Sequence, residues 1–261
     1  MSRPVWLVTG AGSGVGRVLA VALGASGAEV VLTARNLDRL EDTARWCGSG
    51  TEVVPADLGD PAAVDGLAGS VVRYLAGRPL AGIVHGAGLM AWDSPEAGGG
   101  WSLVPAVNAL APWRLTQALE PPLLGAPGAR VLLVAGAPAT FRGIGPDVSQ
   151  WKGNQKGRGL RLALEAAAAK VLIAREFHRR WAGRASVFAF HPGFVKSRLA
   201  DGLPFPLNVL GCAAQPFLAS RCVTGEFLAL DPGAPALSGT LVSGRRSYPD
   251  FPVPGNLEAF P

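Results

Sequence analysis

Residues 9–16, TGAGSGVG, have the residue types and spacing best suited to binding an anion. Gly10, Gly14 and Gly16 follow an aliphatic run and precede a helical one. Glycines at such a junction allow a tight turn and let the backbone approach a diphosphate, which the free N–H groups at the start of the helix would bind. The GxxxGxG spacing therefore predicts a dinucleotide-binding turn. The other contacts expected in this turn are Thr9, Ser13 and Val15.

A basic residue, Arg35, follows the second aliphatic run in VVLTARN. An acidic residue at this place in a dinucleotide-binding unit binds the ribose hydroxyls of NAD(H), whereas an arginine can pair with the 2′-phosphate of NADP(H). We therefore expect NADP(H) as the cofactor, with Arg35 and its neighbour Asn36 among the contacts. The alternative is that Arg35 is a loop charge without a ligand.

The elements that must position these residues are short aliphatic strands separated by helical stretches. The strand-like runs are VWLVTG, AEVVLTAR, EVVPADL, LAGIVHGAG, ARVLLVAG and ASVFAFHPG. Their apolar character is typical of strands covered on both faces, and their alternation with helices favours a doubly wound parallel sheet. We therefore predict an α/β fold of the Rossmann type, with a parallel sheet and flanking helices.

The length of 261 residues and the hydrophobic content of 49% favour a single domain with one large core, spanning residues 1–261. Within it, the glycine-rich stretch 143–159 has few apolar anchors and is expected to be a lid or inserted loop over the binding site. Proline- and phenylalanine-rich stretches predict a substrate loop over 199–221 and an extended tail over 245–261.

The composition argues against several other functions. A net charge of +5, spread along the chain without a nucleic-acid-binding motif, argues against nucleic acid and for anionic ligands. No apolar run has membrane-spanning length, and SRPVWLVTG near the start leaves no room for a signal peptide, so we expect a soluble, cytoplasmic protein without a membrane partner. The three cysteines lack disulfide or metal-ligand spacing, so no metal site is expected.

A series of motifs makes the chain resemble a short-chain dehydrogenase/reductase, and its second half is similar to the retinol-dehydrogenase-like branch. In chain order the motifs are TGAGSGVG, ADL, HGAG in place of the usual NNAG, VNALAPWRLTQAL, HPGFVKSRL and SGTLV. The resemblance runs nearly end to end and implies a nicotinamide cofactor. The further cofactor contacts that it implies are Asp57 and Leu58 at the adenine, then Gly86, Ala87, Gly88 and Asn108, and then Pro192, Gly193, Val195 and Ser197 near the nicotinamide.

The same resemblance exposes a gap in the expected catalytic residues. The family uses a tyrosine as proton donor or acceptor, a lysine that lowers the pKa of the tyrosine, a serine that orients the carbonyl and an asparagine that anchors a water relay. Here Gly136 stands at the serine position. An ungapped alignment puts Ala163 at the tyrosine and Ala167 at the lysine. A shift of three residues makes Lys170 the lysine and puts Ala166 at the tyrosine, so neither register supplies a tyrosine.

Three polar residues remain candidates for catalysis, namely Asn108, Ser149 and Lys170. Asn108 fits the relay position, but its amide could instead tie a helix to a strand. Ser149 could orient a substrate, or it could be a solvated loop residue. Lys170 is nearest to the missing pair, although a lysine on a helix surface needs no function. For His85, at the end of the fourth strand, the alternatives are a structural role and stacking near the adenine side of the cofactor.

The aromatic residues bear on the substrate. Trp92, Trp101 and Trp151 fall in segments that border the substrate pocket in the resembling family, and Phe205 and Phe217 fall in the loop after HPGFVKSRL. As a group they favour a roomy apolar cleft for a polycyclic or aromatic ligand. Each tryptophan alone could equally be a core residue.

Three functions are compatible with an intact cofactor motif and a missing acid. The first is an NADPH-dependent ketoreductase for a bulky, aromatic or polyketide-like ketone, with the substrate assisting its own protonation. Atypical family members without the tyrosine imply this by resemblance. The second is a catalytically inactive NADPH-binding partner or regulator, as a homo-oligomer or paired with an active paralogue through the long helices. The third is a redox-neutral dehydratase or cyclase, and we expect the first.

Overall fold

One mixed sheet runs through the described part of the chain, which in this computed structural model comprises residues 3–197, 199–206, 209 and 219–261. Its strands are β1 (Val5–Thr9), β2 (Glu29–Thr33), β3 (Thr51–Val53), β4 (Leu80–His85), β5 (Ala129–Val134), β6 (Ala185–His191), β7 (Leu241–Ser243) and β8 (Arg246–Tyr248). They lie in the order β3-β2-β1-β4-β5-β6-β7-β8. All neighbours are parallel except β7 and β8. This order confirms the predicted doubly wound α/β sheet.

Alternate side chains of each strand enter one of two hydrophobic cores. Leu7 and Val187 belong to the core on one face, while Val8 and Phe188 belong to the core on the other. All four side chains are fully buried. Because both faces are covered, the strands need apolar residues at successive positions, which explains the continuous aliphatic runs in the sequence.

Helices cover the two faces of this sheet. They are α1 (Gly14–Ala25), α2 (Leu37–Cys47), α3 (Pro61–Leu75), α4 (Leu103–Pro105), α5 (Ala111–Ala118), α6 (Glu120–Leu124), α7 (Pro138–Phe141), α8 (Gly159–Trp181) and α9 (Val223–Leu230). A π-helical turn, Ala106–Leu110, joins α4 to α5. α1, α2 and α9 pack on one face, and α3, α5 and α8 pack on the other. None of the helices described here is long and apolar enough to cross a membrane.

Residues 143–159 form a loop that is fixed to the body of the domain. Val148 is buried and Trp151 is fully buried. The indole Nε1 of Trp151 donates a hydrogen bond to Glu165 Oε2 on α8, at 2.8 Å. The loop therefore has firmer anchors than its glycine-rich sequence suggests.

The predicted extended tail, 245–261, folds back on the helices after β8. Arg175 on α8 donates hydrogen bonds to two carbonyl groups of the tail, at 2.9 and 2.8 Å. The ring of Phe260 lies 5.6 Å from the ring of Trp113 and 5.7 Å from that of Trp151, centroid to centroid. The tail therefore packs against α5 and α8 and does not extend away from the domain.

Candidate active site

A cleft of about 1020 Å³ lies at the carboxyl ends of the central strands. The segments that follow β1, β4, β5 and β6 line it, and α8 closes one side. β1 and β4 are neighbours, but the chain leaves them toward opposite edges of the sheet. This topology opens a crevice in doubly wound sheets, and ligands bind there, so the cleft is the candidate active site.

The glycine-rich turn forms one end of the cleft, which we call the phosphate end. Gly10, Ser13, Gly14 and Val15 line it, where α1 begins. Gly10 and Gly14 have φ angles of 67° and 59°, in the left-handed region that glycine adopts without strain. A Cβ on Gly14 would lie 3.0 Å from Ser197 Cβ, so no side chain fits comfortably between the turn and the loop after β6. The turn therefore leaves room for the diphosphate of a ligand to approach the N-terminus of α1, where free N–H groups can bind it.

Thr9 and Gly16, also predicted as cofactor contacts, support this turn without lining the cleft. The hydroxyl oxygen of Thr9 accepts a hydrogen bond from the backbone N–H of Ala87, at 3.1 Å. A Cβ on Gly16 would lie 2.5 Å from the carbonyl oxygen of Gly10, so a side chain would push α1 away from β1. Both residues hold the segments after β1 and β4 in place.

Two arginines, Arg35 and Arg39, line the cleft beside the turn. Asn36 caps α2, because its side-chain oxygen accepts a hydrogen bond from the backbone N–H of Arg39 at 2.9 Å. The Asn36 side chain thus holds the start of α2. Arg39 was not among the residues predicted from the sequence, although its place in the first turn of the helix after Arg35 was an available signal. Two guanidinium groups at this end fit a 2′-phosphate.

Asp57 and Leu58, the predicted adenine contacts, do not line the cleft. The carboxylate of Asp57 accepts a hydrogen bond from the backbone N–H of Gly59, at 2.9 Å. The side chain of Leu58 is buried in the core that α3 and α8 cover. Their contact with an adenine therefore stays a prediction.

The HGAG motif after β4 is divided between the cleft and the core. Gly86, Ala87 and Gly88 line the cleft. His85 is buried beneath it, with its Nε2 atom 2.8 Å from the hydroxyl oxygen of Thr116. Burial, and secondly the charge of Lys170, lower the pKa of His85 to about 3, so the imidazole is neutral near neutral pH. Of the two roles considered for His85, the structural one fits this position.

The other end of the cleft, which we call the reacting end, lies between the segment after β5 and α8. Gly136, Ala163 and Ala167 line it. Ala166 is buried instead in a third hydrophobic cluster, which also contains Trp151. Both positions of the ungapped register, Ala163 and Ala167, therefore face the cleft, whereas in the shifted register Lys170 faces it and Ala166 does not. Which register matches the family's tyrosine and lysine stays a prediction.

Tyr74, Tyr248 and Ser149 do not line the cleft. The hydroxyl of Tyr74 donates a hydrogen bond to Glu29 Oε2 at 3.1 Å, and Tyr248 lies in β8. Ser149 is exposed and does not line the cleft, and its hydroxyl donates to Asp147 Oδ1 at 2.6 Å. The loop thus turns Ser149 to solvent outside the cleft, and a catalytic role for this residue stays a prediction without support from its position.

Lys170 lines the reacting end, although its side chain is almost fully enclosed. Its ammonium group donates a hydrogen bond to the carbonyl oxygen of Val134, at 2.7 Å. Burial lowers the pKa of Lys170 to about 8. Lys170 is therefore a buried cation at the reacting end of the cleft.

Asn108 also lines the cleft, from the π-helical turn. Its Oδ1 atom accepts a hydrogen bond from the backbone N–H of Leu89, and its Nδ2 atom donates to the carbonyl oxygen of Leu89, both at 2.9 Å. The amide therefore fixes the segment after β4 to the helix. This is the structural alternative that the sequence left open, and one amide N–H stays available for a ligand.

The HPGFVKSRL motif supplies the opposite wall, and its predicted contacts Pro192, Gly193, Val195 and Ser197 all line the cleft. His191, which the sequence analysis did not select, lines it as well. The Nδ1 atom of His191 is buried and has no hydrogen-bond partner among the described residues, and burial lowers the pKa of the ring. Its place directly before the proline and glycine of the motif was the signal.

Apolar side chains dominate the walls of the reacting end. They are Leu89, Met90, Ala91, Leu103, Leu160, Leu164, Phe194 and Leu199. Phe194 is 78% exposed, which places an aromatic ring at the mouth of the cleft. This composition suits a flat, hydrophobic ligand.

The aromatic residues predicted around the substrate lie elsewhere. Trp151 is a core residue, and the ring of Trp101 is covered by the ammonium group of Lys152, which lies 3.2 Å from the ring centroid. Trp92 and Phe205 are exposed and do not line the cleft. Phe217 lies outside the described residues. The apolar cleft is therefore formed by leucine, methionine and alanine side chains in place of the tryptophans.

Comparison with known proteins agrees with this architecture. The model of the short chain dehydrogenase family matches residues 4–145. The candidate daunorubicin C-13 ketoreductase DnrU of Streptomyces sp. (strain C5) is 30% identical over 256 residues, covering 93% of this chain and 84% of that protein. Human dehydrogenase/reductase SDR family member 13 is 31% identical over 203 residues, covering 74% of this chain and 52% of that protein. The chain thus spans about half the length of the human relative.

A solved structure extends the likeness to the whole fold. The candidate NAD(P)-dependent gluconate 5-dehydrogenase of Beutenbergia cavernae, crystallised with NADP bound at low occupancy, aligns with a TM-score of 0.69 and 26% identity. The alignment covers 94% of this chain and 96% of that one. The family match spans more than half of the residues, and the first relative spans nearly all of them. The chain therefore belongs to the short-chain dehydrogenase family of oxidoreductases.

Proposed function

We propose that this protein is an NADPH-dependent ketoreductase for a bulky, aromatic ketone that carries its own hydroxyl group beside the carbonyl. One observation carries the proposal. A single cleft joins a phosphate end with two arginines to a reacting end where Gly136, Ala163 and Ala167 leave space in place of an acid. NADPH, when bound, would supply a hydride.

The phosphate end supports NADPH as the cofactor. Arg35 and Arg39 both line the cleft, and neither forms an ion pair among the described residues. Charged hydrogen bonds from guanidinium groups to a phosphate are strong and directional, whereas the ribose hydroxyl of NADH offers them no charge. These residues would therefore hold the 2′-phosphate and orient the dinucleotide along the cleft.

The reacting end supports an aromatic ketone as the substrate. Its walls carry apolar side chains such as Leu160, Leu164 and Phe194, which suit a hydrophobic ring system. The relative DnrU is named as a reductase of daunorubicin, which supports the same substrate class here. A planar ring system would lie against Leu160, Leu164 and Phe194.

The missing acid supports protonation by the substrate. A positioned general acid contributes about 10²–10⁴ in rate, equivalent to roughly 3 to 5 kcal/mol, so a reductase without one must offset most of that loss. A hydroxyl hydrogen-bonded to the neighbouring carbonyl already polarises it, and it is held by covalent structure in the correct geometry. The space above Ala163 and Gly136 would accommodate this hydroxyl.

The direct test is to incubate the purified protein with NADPH and matched aryl ketones, following the loss of reduced nicotinamide absorbance. We expect turnover of a ketone with an adjacent phenol, and turnover slower by about 10²–10⁴ for its methyl ether. Equal rates for the two ketones would contradict protonation by the substrate. NADPH binding without oxidation of NADPH by any ketone would favour a non-catalytic cofactor-binding partner, and conversion without its oxidation would favour a dehydratase or cyclase.

A further inference from the structure

Lys170 is a buried cation for which the fold alone gives no reason. Its side chain is only 5% exposed, and no carboxylate in the described residues forms an ion pair with it. Its ammonium group donates a hydrogen bond to the neutral carbonyl of Val134. A buried ammonium group without a counter-charge is costly, and such groups are concentrated at functional sites. The open side of Lys170 is the cleft, so its natural partner is a ligand.

The helix directs Lys170 toward the space left by the missing residues. Ala163, Ala167 and Lys170 follow one another at spacings of four and three residues, and all three line the cleft. Side chains on a helix lean toward its N-terminus, so Lys170 reaches back along this face toward Ala167. The carbonyl that holds its ammonium group belongs to Val134, two residues before Gly136. The ammonium group thus borders the same space as Gly136 and Ala167.

We propose that Lys170 binds the hydroxyl of the substrate, in the place where an enzyme tyrosine would otherwise stand, and that it holds the phenolate which forms when that hydroxyl gives up its proton. This inference rests on the proposed function and deepens it. It restricts the substrate to ketones with an acidic hydroxyl next to the carbonyl, such as ortho- or peri-hydroxylated aryl ketones. It makes Lys170 a catalytic residue, because its ammonium group contacts the reacting hydroxyl.

Reduction of the ketone and loss of the phenol's proton belong to one step. The carbonyl carbon accepts a hydride, the C=O π bond breaks, and the oxygen takes the proton of the neighbouring phenol, so that the ketone becomes a secondary alcohol. The phenol oxygen keeps the electron pair of its O–H bond as a phenolate, which Lys170 stabilises as a charged hydrogen-bond donor. Lys170 then gives one proton to the phenolate and recovers a proton from water.

The described residues around Lys170 do not neutralise the charge on its ammonium group, so this charge can stabilise a phenolate. The titratable group packed against it from the sheet is His85 on β4, which burial keeps neutral near neutral pH. Val134 on β5 offers only its carbonyl oxygen. On its own helix, the flanking positions Ala166, Ala167, Ala169 and Val171 are apolar. The carboxylate of Asp201 also lines the cleft, but Lys170 forms no ion pair with it or with any other described carboxylate. A ligand could therefore bring the negative charge that pairs with Lys170.

The experiment combines two enzymes with two substrates. Lys170→Met removes the charge and keeps much of the side-chain length, and Lys156→Met, an exposed position outside the cleft, is the matched control. We expect Lys170→Met to slow reduction of the hydroxyketone by about 10- to 100-fold and to leave the slow reduction of its methyl ether nearly unchanged. An equal loss for both ketones would overturn the proposal, because Lys170 would then act without the hydroxyl.

A second measurement does not depend on turnover. The absorbance of the bound hydroxyketone, titrated against pH in complex with the protein and NADP⁺, reports the pKa of its phenol. We expect this pKa to be lower in the parent protein than in Lys170→Met by at least about one unit, because an opposite charge favours the phenolate. An equal phenol pKa in the two proteins would overturn the proposal. If Lys170→Met does not fold, Lys170→Gln is used with the same two outcomes.

The two proposals fail in different ways. If the parent protein reduces neither ketone, the proposed function fails, while the phenol titration still decides the role of Lys170. If the parent reduces the hydroxyketone far faster than its methyl ether but Lys170→Met behaves like Lys156→Met, the proposed function stands and the inference about Lys170 is overturned.

Discussion

The phosphate end and the reacting end of the cleft are constructed in different ways. At the phosphate end the backbone forms the site, and a Cβ on Gly10 would lie 2.6 Å from the Cα of Ala87. At the reacting end a Cβ on Gly136 would lie 3.2 Å from the hydroxyl oxygen of Thr140, a contact that a small rotation relieves. The fold therefore fixes the residues of the first end and leaves the second free to vary. Cofactor binding and proton delivery are separable in such a domain.

The largest expected effect tests the strictness of the phosphate end. Gly10→Ala places a side chain at a φ of 67° and within 2.6 Å of backbone atoms. The left-handed conformation and the overlap together should lower the free energy of unfolding by roughly 2 to 5 kcal/mol, with a loss of NADPH affinity. Urea unfolding and a fluorescence titration with NADPH measure the two effects.

The control for this variant is Gly27→Ala. Gly27 has a φ of 93°, but a Cβ there would meet nothing within 4 Å. It should lose only about 1 to 2 kcal/mol through backbone strain and keep its affinity for NADPH. If Gly10→Ala proved as stable as Gly27→Ala and bound NADPH equally well, the contrast between the two ends would collapse.

The second prediction concerns the arginines of the phosphate end. Arg35→Ala and Arg39→Ala should each weaken NADPH binding by about 1.5 to 3 kcal/mol and leave NADH binding nearly unchanged, since each removes a charged hydrogen bond to the 2′-phosphate. Calorimetric titration with both cofactors measures this difference. Arg45→Ala, an exposed position in the last turn of α2, is the control. Equal affinity of the parent protein for NADPH and NADH would rule out this role for Arg35 and Arg39.

The third prediction concerns the buried base beneath the reacting end. The pKa of His85 is about 3 in the folded protein, whereas an unperturbed histidine has a pKa of 6.5. As the pH falls, His85 is therefore protonated in the unfolded chain before it is protonated in the folded protein. The stability from the neutral ring is therefore present above pH 6.5 and is lost progressively toward pH 3. Between about pH 7 and about pH 5, this linkage should cost about 2 kcal/mol.

The variant His85→Asn isolates this contribution. Unfolding free energies of the parent protein and of His85→Asn are compared at both pH values, and the parent should lose about 2 kcal/mol more. His178→Asn replaces an exposed histidine on α8 and should follow the parent. The linkage is refuted if all three proteins lose equal stability.

The sequence predicted the phosphate end better than the reacting end, for a physical reason. The glycines of the turn and Arg35 act through short contiguous segments whose geometry follows from a strand, a turn and a helix. The indole N–H of Trp151 instead donates a hydrogen bond to Glu165 on α8, and that of Trp113 donates one to the carbonyl oxygen of Pro261, in a different segment of the chain. No periodicity within one segment reveals such pairings. The sequence likewise left open which residues of α8 face the cleft. The packing of α8 against the rest of the domain places Ala163 and Ala167 at the cleft and buries Ala166 in a hydrophobic cluster.

The smallest expected effect comes from restoring the residue that the family would place at the reacting end. Ala163→Tyr puts a phenol where we propose that the hydroxyl of the substrate binds. The enzyme thereby gains an acid, and the hydroxyl of the substrate loses its binding position. We expect the rate of hydroxyketone reduction to change by no more than about threefold, because an interaction that already lowers the barrier is replaced and not added. Ala163→Phe is the matched control, since it adds the same ring without the hydroxyl. It takes the place of the substrate's hydroxyl without supplying an acid, so steady-state kinetics should find it slower than Ala163→Tyr by about 10²–10⁴. A tyrosine variant far faster than the parent protein would mean that an enzyme hydroxyl is still the better proton donor in this cleft, and the contrast between a fixed phosphate end and a substrate-completed reacting end would then have to be abandoned.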